Sequence, residues 1–151
     1  ANSKLDRYLN NEDQLTISEL NGYAIFNTEK GDCFHCHASQ LFMDNQFHNN
    51  GLDLEPFQDL GRAKVTSNAL DNGKFRTPTL RNIEMTAPYM HDGRFATLEE
   101  VVEHYDSGGK YSTTIDPLMK KLGIGLQLTN QEKIDLVAYL KTLTDHEFIT
   151  Q

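Results

Sequence analysis

The chain has 151 residues, enough for one domain, yet only 38% are hydrophobic and none is tryptophan, so a bulky apolar group would supply missing core volume. Its formal charge of −8, with Lys and Arg scattered rather than clustered, excludes a nucleic-acid surface, because phosphate binding needs concentrated positive charge. No run of about 18 apolar residues is present, so no membrane span is expected, and the polar opening from Ala1 to Tyr8 does not read as a signal segment; the chain reads as soluble, and either mature or cut from something longer.

Three helices announce themselves by the same start signal, a Thr followed three residues later by Glu, in which side chain and backbone cap each other. The first opens at Thr16 and Glu19, carries Leu20, Tyr23, Ala24 and Phe26 at helical spacing, and should end near Gly31. It leads directly into the two cysteines. Between Leu41 and Thr79 the sequence is rich in Asn, Asp, Gly and Pro with little periodicity, which predicts a long ordered loop region wrapping something functional. The second helix opens at Thr97 and Glu100, shows Leu98, Val101, Val102 and Tyr105 on one face, and stops at Gly108 and Gly109. The third opens at Thr129 and Glu132 and carries Ile134, Val137, Ala138, Leu140 and Leu143, an apolar stripe for which the first helix is the expected partner. No internal repeat interrupts this order, so residues 1–151 are taken as one domain.

The only two cysteines stand in Cys33-Phe34-His35-Cys36-His37, the C-x-x-C-H arrangement of c-type haem attachment. Two thiols one short turn apart reach both vinyl groups of a porphyrin, and His37 then lies beneath the iron as proximal ligand. A redox disulfide and half of a zinc site are the competing readings. Zinc would want a second close Cys or His pair, and His91 and His104 lack that spacing. Covalent haem attachment in bacteria takes place outside the cytoplasm, so a periplasmic, exported protein is expected.

Candidates for the second iron ligand are Met43, Met90, His91, His104 and Tyr105. Met90 sits in a turn between Pro88 and Gly93, and Met is a common partner of His in cytochromes c. Arg76 and Arg81 flank a Thr-Pro-Thr-Leu stretch, and guanidinium groups suit haem propionates, although arginines are usually surface groups. His91 could hydrogen-bond near the distal side or the propionates, or be merely a turn histidine.

Phe47-His48-Asn49-Asn50-Gly51-Leu52, Asp59-Leu60-Gly61-Arg62, the run from Phe75 to Asn82, and the run from Thr86 to Gly93 resemble the C-terminal haem domain of the bacterial di-haem cytochrome c peroxidase and MauG family, from about Leu5 to Asp145. The resemblance implies a mainly α, cytochrome c-like single-haem fold, in which the haem lies between the crossed first and third helices and the loop region lines its edge. It implies one covalent haem c that receives and relays single electrons, since this chain carries no second C-x-x-C-H. Counted from the Pro88-Tyr89 motif, the ligand position holding methionine in the peroxidases and tyrosine in MauG falls on Tyr105, which makes it the expected sixth ligand and Met90 the rival. The family also implies calcium held partly by carbonyls corresponding to Thr86 and Pro88, and a redox partner protein, with a peroxidase-like domain as acceptor. The alternative function is an enzyme in its own right, a mono-haem peroxidase or a MauG-like generator of oxidant.

Overall fold

The computed structural model describes residues 2–149. Its helices are α1 (Lys4–Leu9), α2 (Ile17–Phe26), α3 (Ala63–Thr66), α4 (Leu98–Asp106), α5 (Asn130–Lys141) and α6 (His146–Ile149), and its short strands are β1 (Phe47–His48) and β2 (Phe75–Arg76). The starts of α2, α4 and α5 form the reciprocal capping boxes that Thr16, Thr97 and Thr129 announce. A fourth box, Ser3 with Asp6, opens α1, where the polar run from Ala1 to Tyr8 had pointed to no element. Its N3 residue is Asp rather than the Glu of the other three.

Helix α2 packs on α5 as expected, and Phe26, Val137, Leu140 and Leu143 are buried as read in the sequence, but the faces are rotated from the rest of that reading. Gly22, Ile25 and Phe26 are the buried residues of α2, while Leu20 and Ala24 are exposed. On α5 the buried residues are Asp135, Leu136, Val137, Tyr139 and Leu140, whereas Ile134 is 59% exposed. The reason is Gly22: having no side chain, it lets the two backbones touch, and that contact sets the rotation of both helices. Asp135 is buried at the crossing, and among the described residues no cation pairs with it. Ser18 Oγ, Asn21 Nδ2 and Gln131 Nε2 donate to its carboxylate at 2.5, 3.2 and 2.9 Å, and these hydrogen bonds hold its pKa below the usual carboxylate range.

The expectation that a cofactor would lie between these two helices is therefore corrected, because they are in direct contact. The large cavity lies beside their crossing. Only Phe26 of α2 and Leu136 and Leu140 of α5 reach it.

The 41–79 region is ordered and largely irregular, as its composition implies, but α3 and an antiparallel ribbon occur within it. In that ribbon Phe47 pairs with Arg76 and His48 with Phe75. Two residues per strand are too few for alternation to register in a sequence. The ribbon joins the segment after the cysteines to the 75–81 segment on the cavity wall. Among the described residues no helix is long and apolar enough to cross a membrane.

Candidate haem-binding site

The cavity measures about 590 Å³ and is mostly apolar. Its wall brings together Cys33, Cys36, His37, Arg76, Arg81, Thr86, Pro88, Met90, His91 and Tyr105, residues spread over 73 positions of sequence between Cys33 and Tyr105 inclusive. Met43 and His104 do not line it. His104 turns instead to the backbone, with Nε2 3.0 Å from the Asn50 carbonyl oxygen.

The cysteines sit on a short 3₁₀ turn, Cys33–His35, entered through Asp32 in the left-handed conformation and closed by the His37 N–H donating to the Cys33 carbonyl at 3.0 Å. Their sulfurs are not bonded to each other. Burial, reinforced by the nearby Asp32 carboxylate for Cys33 and Asp44 for Cys36, pushes each thiol up to about 12, so both are neutral at ordinary pH. His37 is held from behind: its Nδ1 lies 2.8 Å from the Phe42 carbonyl oxygen. With Nδ1–H donated there, Nε2 is left as a lone pair, the tautomer an iron ligand needs. Burial holds this imidazole below the ordinary histidine value, against the pull of the Phe42 carbonyl, which keeps it neutral. Two thiols, one oriented neutral imidazole and an apolar void on the same wall fit a covalently held haem. When bound, that group supplies one-electron redox chemistry.

Helix α4 presents Leu98, Val101, Val102 and Tyr105 to the cavity, and of these Leu98 and Val102 are also buried members of the hydrophobic core. Burial pushes the Tyr105 hydroxyl up to about 12, a hydrogen bond from Asn50 opposing it. Met90 reaches the same place from a turn in which it takes a positive φ of 72°, a costly conformation for a long side chain. The turn is fixed by Tyr89 and Phe95, whose backbones bond both ways, and by the Tyr89 hydroxyl donating to the Ile83 carbonyl at 3.0 Å. Asn50 Nδ2 lies 3.2 Å from Tyr105 Oη and 3.6 Å from Met90 Sδ, so the two rival ligands meet at one amide.

Arg81 lines the cavity with its guanidinium turned to Asp6, Nη1 and Nη2 lying 2.8 and 3.0 Å from the two carboxylate oxygens. Arg76 is exposed and hydrogen-bonds Asn45. His91 is stacked on Phe75 with ring centroids 3.6 Å apart. Thr86 and Pro88 are exposed residues on the rim.

Two side chains on the wall, His48 and Asp116, carry a relationship not read from the sequence. His48 lies between carboxylates, Nδ1 2.7 Å from Asp116 and Nε2 2.7 Å from Asp44. Burial lowers this imidazole, but the two carboxylates outweigh it and its pKa is raised overall. Cys36, Asp44 and His48 are close enough to be read as a metal cluster. Both His48 nitrogens are, however, already taken by carboxylates, which leaves no ring lone pair for an ion. His48 and Asn50 stand inside the Phe47 to Leu52 motif, but Asp116 is 68 residues from His48 and only folding brings it near.

No known family model matches the chain. The fold is that of haem-bearing redox proteins: it superposes on a MauG-like protein associated with microbial copper homeostasis with a TM-score of 0.90 and 41% identity, covering 98% of this chain and 49% of that one. It also superposes on the di-haem peroxidase BthA of Burkholderia thailandensis at 0.76 and 24% identity, a likeness of fold alone. In sequence it is 38% identical to the methylamine utilization protein MauG of Methylophilus methylotrophus over 142 residues, 91% of this chain and 40% of that protein. It is 37% identical to the cytochrome-c peroxidase IdrP1 of Pseudomonas sp. (strain SCT) over 94% of this chain and 44% of that one. The chain belongs to the MauG and di-haem cytochrome c peroxidase family. It spans less than half the length of these relatives.

Proposed function

We propose that this chain is a single-haem electron-relay domain: Cys33 and Cys36 hold one haem c by thioether bonds, His37 is the proximal ligand, Tyr105 is the distal ligand, and the domain passes single electrons. The observation that supports it is the convergence of Cys33, Cys36, His37, Met90 and Tyr105 on one apolar cavity. Two ligands from the protein leave the iron no open position, which suits relay rather than peroxide binding. The rim residues Arg76, Thr86 and His91 are exposed, giving a route by which an electron can enter or leave. The net charge of −8 favours a basic redox donor, steered toward the surface by long-range attraction. The acceptor is a peroxidase-like domain or partner, and the compartment is the periplasm, where haem c is attached. In this reading calcium is held at the rim by the Thr86 and Pro88 carbonyls, hard oxygen donors of the kind that ion takes.

Expression beside haem-ligation machinery tests the proposal. A red protein whose mass rises by one haem, with a low-spin ferric spectrum, is expected. A colourless chain, or a high-spin ferric haem with an open position, would overturn it.

A second reading, a MauG-like oxidant-generating enzyme, is favoured by Tyr105 on the cavity together with the relatives named MauG. Peroxide-dependent oxidation of a reduced dye by the isolated holo-protein separates the two. Turnover supports the enzyme, and none supports the relay.

A further inference from the structure

We propose that Asn50 is the positioning residue of the distal iron face, its side-chain amide fixing the Tyr105 oxygen as ligand and setting how strongly that oxygen donates to the iron. The inference rests on the reading of Tyr105 as that ligand.

The geometry places Asn50 Nδ2 3.2 Å from Tyr105 Oη and 3.6 Å from Met90 Sδ. An amide nitrogen has two hydrogens, so one Asn can serve both groups, but a thioether is a weak acceptor and a phenol oxygen a good one. The stronger hydrogen bond goes to oxygen. It aligns the Tyr105 ring and leaves Met90 as the neighbour rather than the ligand.

Such a role requires Asn50 itself to be immobile, and its backbone is pinned on both sides. Asn49 is 2% exposed, and its Nδ2 donates to Ser112 Oγ and Thr114 Oγ1, both at 3.0 Å, while its Oδ1 accepts from the Gly51 N–H at 3.0 Å. The Asn50 carbonyl lies 3.0 Å from His104 Nε2, and the Gly51 carbonyl accepts from the Lys110 N–H at 2.7 Å. Gly51 has a φ of +69°, and a Cβ there would stand 2.9 Å from the Lys110 nitrogen. The His104 contact matters most. It ties Asn50 to the residue beside Tyr105 on α4, so donor and ligand move as one body.

A hydrogen bond donated to a ligand atom withdraws electron density from it, and outer partners of this kind tune metal sites as well as orient them. An oxygen relieved in this way stabilises ferric iron less. Removing the donor therefore lowers the reduction potential, where a purely structural residue would leave it alone.

The test is magnetic circular dichroism and potentiometric titration of the holo-protein with Asn50→Leu, which keeps the bulk without a donor, and Asn50→Asp, which keeps the shape without an N–H. Wild type should show the oxygen-to-iron charge-transfer signature. Asn50→Leu should shift that band and favour the ferric form by about tenfold, about 59 mV for one electron. Asn50→Asp should move the band in the same direction. Unchanged band and potential in a variant with full haem content overturn the role of Asn50 while Tyr105 ligation stands; if one variant does not fold, the other decides. A wild-type thioether signature that survives Tyr105→Phe overturns the ligand reading itself, and the inference with it.

Discussion

Gly22 of α2 and Asp135 of α5 meet backbone to backbone: a Cβ at Gly22 would stand 2.0 Å from the Asp135 carbonyl oxygen and 2.7 Å from Tyr139 Cβ. Neither neighbour is the movable end of a side chain, so the clash cannot be relieved by a rotamer change. Gly22→Ala should therefore exceed the usual overpacking cost of about 1–3 kcal/mol. Denaturant unfolding of the holo-protein measures it, and a loss under about 0.5 kcal/mol would mean the helices do not cross here.

The fork between Arg81 and Asp6 ties α1 to the cavity wall at 2.8 and 3.0 Å. Burial raises the Asp6 carboxyl, but Arg81 and Ser3 together bring it below its ordinary value. Asp6→Asn loses the bidentate pairing and weakens the capping box, with an expected cost of about 1–3 kcal/mol. If Arg81 also steadies a propionate, the same change frees its guanidinium and raises the haem potential. A wild-type stability for Asp6→Asn would show the fork to be ornamental.

The His48 clasp predicts a pH dependence. Its folded pKa is raised, so its contribution is complete below the unfolded histidine value of about 6.5 and is lost as pH rises through the folded value. On the other side, Asp44 is lowered overall although burial opposes this, so its contribution is present above the unfolded value of about 3.9 and lost as pH falls through the folded one. Stability of the wild type should fall from near pH 6.5 upward. His48→Gln should flatten that decline, and parallel curves for the two proteins would show the clasp to be silent.

With Tyr105 as the proposed distal ligand, Tyr105→Met would exchange an oxygen for a sulfur at the same position of α4. A thioether favours ferrous iron, so the midpoint potential should rise and the ferric spectrum acquire a thioether signature. Were Met90 the ligand, the substitution would leave both nearly unchanged.

How far the sequence leads depends on the range of the interaction. The three Thr–Glu helix starts and the C-x-x-C-H turn are local, and each stands where the sequence puts it. The buried faces of α2 and α5 are not local. Their rotation follows from a backbone contact at Gly22 whose partner lies more than a hundred residues on; periodicity finds Phe26, Val137 and Leu140, which are buried, but also Leu20 and Ile134, both exposed. The cavity shows the same division. Its candidate residues are readable one by one, but the meeting of Met90 and Tyr105 at Asn50, and of His48 with Asp116, depends on Asn50, Met90 and Asp116, which lie in segments without periodic signal. Helix α1 has no periodic signature because its Ser3–Asp6 start lies in a polar run with few apolar residues to mark a face.

All four helix starts at Ser3, Thr16, Thr97 and Thr129 close on a carboxylate: Asp6, Glu19, Glu100 and Glu132. Every one of these acids is held below its ordinary value, by cap or cation bonds that at Asp6 and Glu19 overcome an opposing burial. Their contribution is present above the unfolded carboxylate range and disappears as pH falls through the folded values. Acidification thus loosens α1, α2, α4 and α5 at one kind of joint, each from its first turn.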